Sequence, residues 1–496
     1  MEGLAQQVAT LAAFVSTPIA RAVHAGELPT LSAHAERIPA AVLFADISGF
    51  TALTEALAIN NPNGSEQLTA LLNLYFTHMI VLLESYGGQV VKFSGDAISA
   101  IFVPEEHASD SARGQQTYVP EPSLTTATVR AAFAAISMQR AMDDFQQQAT
   151  SMGSARLGLK VGVGSGTVLT AHVGGVFGRW EYLIAGDAIR QAVQAQEQAR
   201  RGMVVLSPQA AARVGSPDAQ GQVSVVWSIE AALTIGDDHP LLSYPQPYRV
   251  LQHPLDWSWL SPEALQRAHA TLRAYVPAAI ASRLQSSQYE WVAELRRLTI
   301  MFVGVGGIDY LREHVLDQLQ PFIQSVQEIV YRYEGSLNKV MVDDKGTVLL
   351  ILFGAPPLAH EDDALRALAC AHDLQASFDQ QPGKSERLAI GITNATVFAG
   401  PVGSTTRGEY TVMGDAVNLA ARLMQQAGAG GTLCDTAVYK EGHRHWGLEE
   451  LPPLLLKGKA HPVQVYHFRA CACVPPTKMP HRWWAVRRKS SACCKP

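Results

Sequence analysis

The strongest constraint on the fold is that the sequence repeats itself. Three long segments of the first half have counterparts in the second half, at 40–50 and 298–308, at 159–174 and 388–403, and at 180–199 and 408–427. Solenoid repeats recur every ~20–50 residues, and these two copies are far longer. We therefore predict two domains of one fold, joined in tandem as a pseudo-twofold pair.

The rest of the chain is divided by these two copies. The sequence predicts an N-terminal helical segment, a first domain, a helical linker, a second domain and an unstructured tail, at 1–37, 38–250, 251–290, 291–469 and 470–496 respectively. The cysteines of the tail do not have the spacing of a zinc site. An unstructured end and the truncation of a larger protein both fit its composition.

Each copy shows the same order of elements. A strand leads into a helix, and two apolar strands follow around a short turn, as in "GGQVVKFSGDAISAIF" at 87–102. An Ala-rich helix and a further strand complete the unit. The order β-α-β-β-α-β is typical of a ferredoxin-like core. The sequence thus predicts an α+β fold built from two ferredoxin-like domains.

The composition indicates a folded protein without a nucleic-acid surface. The 496 residues are 47% hydrophobic and 17% charged, with a net charge of −5, whereas an average soluble protein is roughly 25% charged. No apolar run reaches the ~18–20 residues of a membrane-spanning helix, and Glu2 without an early positive charge argues against a secretory signal. Because Cys370 and Cys434 are isolated within the folded sequence, we expect a reduced, cytoplasmic protein.

An apolar strand ends on an acid in "LFADISGFTALTEAL" at 43–57. A second acid, Asp96, closes the central hairpin. In this topology the two strands are neighbours, so Asp46 and Asp96 are expected to converge, and paired carboxylates suit Mg²⁺. Ser48 and Gly49 follow at a helix start, where backbone amides attract phosphate. The alternative for Asp46 is a simple helix cap.

The second copy differs from the first in a complementary way. Gly304 stands where the first copy has Asp46, so the metal-binding acid is missing there, although Asp343 still matches Asp96. Asn418 and Arg422 lie four residues apart on one helix face, and the first copy has Arg190 and Gln194 at those two positions. This pattern predicts one composite site to which each copy contributes different residues.

Several of these motifs resemble the catalytic domain of class III nucleotidyl cyclases. They are "LFADISGFT", the "FSGDA" hairpin, "YTVMGDAVNLAARL" and the ending "LKGKAHPVQVYHF". The tandem arrangement is most similar to the soluble adenylyl cyclase branch. The resemblance implies conversion of ATP to 3′,5′-cyclic AMP and pyrophosphate. It also implies that Asp46, Asp96 and the Ile47 carbonyl bind two Mg²⁺ ions, for which Mn²⁺ can substitute.

The resemblance assigns roles to further residues. Asn418 would orient the ribose and Arg422 would stabilise charge on the α-phosphoryl group. Lys339 and Thr411 would read adenine, which favours ATP over GTP and disfavours a guanylate cyclase. The remaining nucleotide-binding positions implied by the family are Ser48, Gly49, Phe50, Thr51 and Lys457, with Lys459 as an alternative to the last. An ordinary turn residue is the other interpretation of either lysine. The alternative for Lys339 is an ordinary solvated lysine.

The resemblance leaves regulation open. In the soluble branch the degenerate second site can bind bicarbonate through a Lys and an Arg. Lys92 matches the Lys, whereas Val193 stands at the Arg position and Arg190 lies one turn earlier. One chain supplies both halves of the composite site, so a monomer suffices. A non-catalytic ATP-binding sensor with the same fold remains the alternative function.

Overall fold

The computed structural model describes most of the two repeated units. Its residues are 2–27, 31–48, 64–95, 97–104, 123–152, 157–215, 224–228, 254–277, 280–281, 294–343, 346–379, 388–456 and 461–469. None of the helices within these ranges is both long enough and apolar enough to span a bilayer.

The first unit is a seven-stranded sheet with helices. Its strands are β1 His34–Ser48, β2 Gln89–Ser94, β3 Ala97–Phe102, β4 Gly158–Gly174, β5 Trp180–Ala185, β6 Met203–Leu206 and β7 Ser224–Ser228. Its helices are α3 Gly64–Ser85, α4 Leu124–Met152, α5 Asp187–Gln198 and α6 Pro208–Arg213, preceded by α1 Glu2–Ala13 and α2 Thr17–His24. The strand order is β2-β3-β1-β4-β6-β7, and β5 pairs with β4.

The second unit repeats this plan. After the linker helix α7 Pro262–Tyr275, its strands are β8 Glu294–Val305, β9 Ser336–Asp343, β10 Gly346–Phe353, β11 Leu388–Gly403, β12 Gly408–Met413, β13 Thr432–Cys434, β14 Gly447–Leu454 and β15 Val463–Arg469. Its helices are α8 Val315–Arg332, α9 Asp363–Asp379, α10 Asp415–Ala427 and α11 Thr436–Gly442. The order is β14-β15-β13-β11-β8-β10-β9, with β12 on β11. The predicted pair of ferredoxin-like units is confirmed.

Equivalent glycines bring a helix close to the central strand in each unit. A Cβ at Gly162 would lie 2.1 Å from the carbonyl oxygen of Ala192 on α5. A Cβ at Gly391 would lie 2.1 Å from the carbonyl oxygen of Ala420 on α10. Only glycine permits this backbone approach. Side chains further along α5 and α10 can therefore reach across β4 and β11 to the neighbouring strand.

The two units share their cores. Three residues of the second unit belong to the hydrophobic core of the first, namely Phe398, Val402 and Met413. Five residues of the first unit belong to the core of the second, namely Leu169, Ala171, Val173, Leu183 and Ala185. These residues lie on the equivalent strand pairs β11–β12 and β4–β5. This reciprocal burial fixes the relative position of the two units, so residues from both can form one site.

Candidate functional site

Lys339 lies at the interface between the two units and is buried, with 1% of its surface exposed. Its Nζ donates to the carbonyl oxygen of Phe93 at 2.6 Å and to Oγ1 of Thr411 at 3.3 Å. The same nitrogen lies 3.2 Å from Oε1 of Glu409. Lys339 is therefore no solvated surface lysine, and it lies next to Thr411, its predicted partner. Burial lowers the pKa of Lys339, and Glu409 opposes this shift.

Glu409 on β12 connects the two units a second time. Its Oε2 accepts a hydrogen bond from the backbone N–H of Phe93 at 2.9 Å and one from Nη2 of Arg407 at 3.2 Å. Burial opposes ionisation of Glu409, but Lys339, Arg407 and Lys92 outweigh it and hold the pKa of Glu409 below its usual value. The backbone N–H and the carbonyl oxygen of Phe93 are thus both hydrogen-bonded to the second unit. Phe93 lies on β2, three residues before Asp96 in the sequence.

The first unit has an equivalent but unequal arrangement. Nζ of Lys92 donates to the carbonyl oxygen of Val340 at 2.5 Å, which mirrors the bond from Lys339 to Phe93. Nη2 of Arg179 lies 2.9 Å from Oε1 of Glu181, which mirrors Arg407 and Glu409. Burial raises the pKa of Glu181, whereas that of Glu409 is lowered. The negative charge of Glu409 is thus better compensated by its positive neighbours than that of Glu181.

Asp46 lies near the end of β1, where its cross-strand partner on β4 is Lys160. Nε2 of Gln196 on α5 donates to Oδ2 of Asp46 at 3.3 Å. Burial raises the pKa of Asp46, and Lys160 and Gln196 oppose this. Ala45 pairs with Ile98, so the end of β1 lies beside the start of β3 at Ala97.

A half-buried carboxylate whose ionisation is opposed by burial suits a hard divalent cation, which prefers oxygen ligands. Within the described residues, no three His, Cys, Asp or Glu side chains cluster as a metal-binding group. The predicted partner Asp96 lies outside those residues, and so do Gly49, Phe50, Thr51, Lys457 and the side chain of Ser48. Ile47 is buried at the end of β1.

The same place in the second unit is apolar. Gly304 on β8 pairs with Ala389 on β11, as Asp46 pairs with Lys160. A Cβ at Gly304 would lie 3.1 Å from Sδ of Met424 on α10. In the aligned copies Met424 stands where the first unit has Gln196. A polar pair around an acid in one unit is therefore replaced by an apolar side chain over a glycine in the other.

Asn418 and Arg422 both lie on α10, where Asn418 is exposed and Arg422 is partly buried. On the equivalent helix α5, Arg190 forms an ion pair with Asp187 one turn away. Val193 on that helix is buried, with 8% of its surface exposed. These contacts give no support to Arg190 as an anion-binding substitute, because its guanidinium already has a carboxylate partner.

Sequence reasoning missed four residues that the structure places at this site, namely Lys160, Gln196, Arg407 and Glu409. A signal for two of them existed, since "RWEY" and "RGEY" precede the equivalent helices in both copies. Gln196 had no such signal, because its counterpart is Met424.

The chain was compared with known protein families, sequences and structures. Residues 34–229 match the family model for the adenylate and guanylate cyclase catalytic domain. The chain is 28% identical over 451 residues to adenylate cyclase type 10 of Oryctolagus cuniculus. The alignment covers 86% of this chain and 26% of that protein. The Homo sapiens protein of the same name is 27% identical over 453 residues, with the same coverage. The chain thus spans about a quarter of the length of these curated relatives.

A solved structure shares the fold across both units. It is the crystal structure of a class III adenylyl cyclase-like ATP-binding protein from Pseudomonas aeruginosa, with a TM-score of 0.53 and 14% sequence identity. The match covers 89% of this chain and 93% of that one. The family match of the first unit and the similarity across both units lead to one conclusion. The first unit matches the class III cyclase catalytic domain, and the chain carries two domains of the cyclase fold in tandem.

Proposed function

We propose that the chain is an adenylate cyclase that converts ATP to 3′,5′-cyclic AMP and pyrophosphate at one composite site between the tandem domains. The contact between Lys339 and Phe93 carries this proposal. It joins the residue that would read the base to the strand that leads to Asp96. The two functional halves, separated by more than 240 residues in sequence, therefore meet at one interface.

The first domain would supply the ligands for the divalent metal. Asp46, Asp96 and the carbonyl of Ile47 would hold two Mg²⁺ ions, or Mn²⁺, which would favour deprotonation of the ribose 3′-hydroxyl and neutralise the leaving pyrophosphate. The backbone from Ser48 to Thr51 would bind phosphate oxygens. Lys457 of the second domain would bind the terminal phosphates as a point charge.

The second domain would supply the groups that orient and stabilise the substrate. Asn418 would hold the ribose, and Arg422 would stabilise negative charge that develops on the α-phosphoryl group. The planar fork of an arginine guanidinium fits phosphate oxygens. The partial burial of Arg422 supports this role, since a charge in a partly excluded site acts more strongly than in water.

Adenine would be read by Lys339 and Thr411. Nζ can donate to N1 of adenine, and the Thr411 hydroxyl can accept from N6. Guanine carries an N–H donor at N1, so the Lys339 ammonium, which can only donate, would face another donor there. Lys339 is buried and its ammonium group contacts Phe93, Thr411 and Glu409, which restricts its movement away from a donor on guanine. ATP is therefore the proposed substrate.

The test is production of cyclic AMP by the purified chain with ATP and Mg²⁺ or Mn²⁺. Asp46→Asn, Asp96→Asn and Arg422→Ala serve as the active-site variants, and Glu361→Gln, which changes an exposed acid, serves as the control. We expect full activity from wild type and the control, no product from the two aspartate variants and strongly reduced activity from Arg422→Ala. Replacing ATP by GTP tests the base. Full activity in any active-site variant would contradict the composite site.

A non-catalytic ATP sensor is the second candidate. The observation that favours it is the fold similarity to a protein described as adenylyl cyclase-like and ATP-binding. The sensor predicts ATP binding by calorimetry with no cyclic AMP under either metal, with or without bicarbonate. Retention of Asp46, Asn418 and Arg422 argues against it, because a sensor that only binds ATP has no need for a group that stabilises the transition state.

A further inference from the structure

Gln196 contacts the proposed metal ligand from a different element. It lies on α5 and is buried, with 7% of its surface exposed. Its Nε2 donates to Oδ2 of Asp46 at 3.3 Å. The approach depends on Gly162, since a Cβ there would lie 2.4 Å from the backbone nitrogen of Gln196. The helix therefore lies close enough to β4 for the amide to reach β1.

The second domain shows what stands there when the acid is absent. Gly304 replaces Asp46, Ala389 replaces Lys160 and Met424 replaces Gln196. Methionine is similar to glutamine in length but carries no N–H donor. The amide and the acid are therefore present together in one copy and missing together from the other. A role in packing alone would be met by Met in both copies.

We propose that Gln196 is a positioning residue for divalent-metal binding: its amide binds Oδ2 of Asp46 and keeps the carboxylate in one orientation, which leaves Oδ1 available to the cation. This inference rests on the proposed role of Asp46 as a metal ligand. Lys160 faces the same carboxylate from the adjacent strand and balances its charge in the absence of metal. Hydrogen-bond partners of metal ligands typically affect metal affinity by 10–100-fold.

The first test is direct titration with Mn²⁺ alone, followed by the EPR signal of the free ion, on the full chain without nucleotide. The variants are Gln196→Met, Asp46→Asn and Gln198→Met, the last at an exposed position of the same helix. We expect about 10- to 100-fold weaker Mn²⁺ binding in Gln196→Met, loss of this binding in Asp46→Asn, and wild-type affinity in Gln198→Met.

These variants distinguish two kinds of failure. If Asp46→Asn loses binding and Gln196→Met does not, the metal site stands and the role of Gln196 is overturned. If Asp46→Asn binds Mn²⁺ like wild type, Asp46 is not a ligand, and both the metal assignment and the role of Gln196 are wrong.

A double-mutant cycle on thermal stability gives a readout that needs no metal. If Gln196 acts through Asp46, Gln196→Met should lower the melting temperature of wild type more than that of Asp46→Asn, because a hydrogen bond to an ionised carboxylate is stronger than one to a neutral amide oxygen. A Gln196→Met chain that folds only in the Asp46→Asn background gives the same answer. Equal losses in both backgrounds, or unfolding in both, would indicate a packing role and overturn the proposal.

Discussion

Nζ of Lys339 in the second domain lies 2.6 Å from the carbonyl oxygen of Phe93 in the first. A lysine ammonium has three N–H donors, and here Phe93, Thr411 and Glu409 take all three. A purine that binds to Lys339 must therefore replace one of these partners. Phe93 also donates its N–H to Glu409, so it can lose the bond to Lys339 and stay attached to the second domain.

Replacement of Lys339 by methionine should weaken both folding and base recognition. Glu409 would stay buried with fewer positive partners, and breaking a buried ion pair from one side typically costs about 3–5 kcal/mol. We expect a lower free energy of unfolding, a KM for ATP raised at least about tenfold and reduced preference for ATP over GTP. Denaturation and initial rates with both nucleotides measure this. Lys440→Met, at an exposed lysine, is the control. Wild-type stability and selectivity in Lys339→Met would show that the contact is incidental.

Replacement of Arg422 by alanine should affect the rate and leave folding largely unchanged. The side chain is only partly buried, so its removal leaves no large cavity. Loss of a group that stabilises charge in the transition state typically lowers kcat by roughly 10²- to 10³-fold. We expect that loss of kcat, with a small change in KM and melting temperature. Arg444→Ala removes an exposed arginine and should leave kcat unchanged. A change in KM alone would move Arg422 from catalysis to substrate binding.

Asp46→Asn should stabilise the metal-free protein while it abolishes activity. Burial raises the pKa of Asp46 above its unfolded value, so its ionisation destabilises the folded state. The stabilisation that the folded state gains from protonated Asp46 is present at low pH and is lost as the pH rises through the folded pKa of Asp46. At neutral pH we therefore expect Asp46→Asn to melt a few degrees above wild type. The difference should shrink as the pH falls towards the ordinary range of an aspartate.

The matched measurement is a series of melting curves against pH, with a chelator present and with Glu361→Gln as control. A lower melting temperature for Asp46→Asn at neutral pH would mean that Lys160 and Gln196 overcompensate burial. That result would contradict the upward shift in the pKa of Asp46.

Gly304→Asp alone should destabilise the second domain without creating a metal site. The new side chain would meet Met424, whose Sδ lies 3.1 Å from a Cβ at this position, and its carboxylate would lack an amide partner. Overpacking and an unpartnered buried polar group each cost about 1–3 kcal/mol. Adding Met424→Gln should recover part of that loss, because it recreates the pair found in the first domain. Melting temperatures of the two single variants and the double variant test this, and strictly additive losses would contradict it.

The sequence predicted those features that depend on local pattern or on comparison of the two copies. The repeat gave both sheets, because equivalent strands carry the same alternation and turns. It also located Lys339 and Thr411, which the structure joins. Glu409 and Gln196 escaped prediction because their contacts are with residues 316 and 150 positions away. The role of a buried amide or acid depends on the distant residue that it contacts, and the local sequence pattern does not identify that residue. Asp96 and Lys457 lie outside the described residues and stay predictions.

The methionine over Gly304 also affects how the two copies can evolve. A return to aspartate at that strand position meets a sulfur atom, and a prior change to glutamine buries an amide that has nothing to bind. Each single substitution is therefore expected to be less stable than both the native second domain and the double variant. The packing of Met424 over Gly304 therefore opposes an acid at this position unless both residues change together.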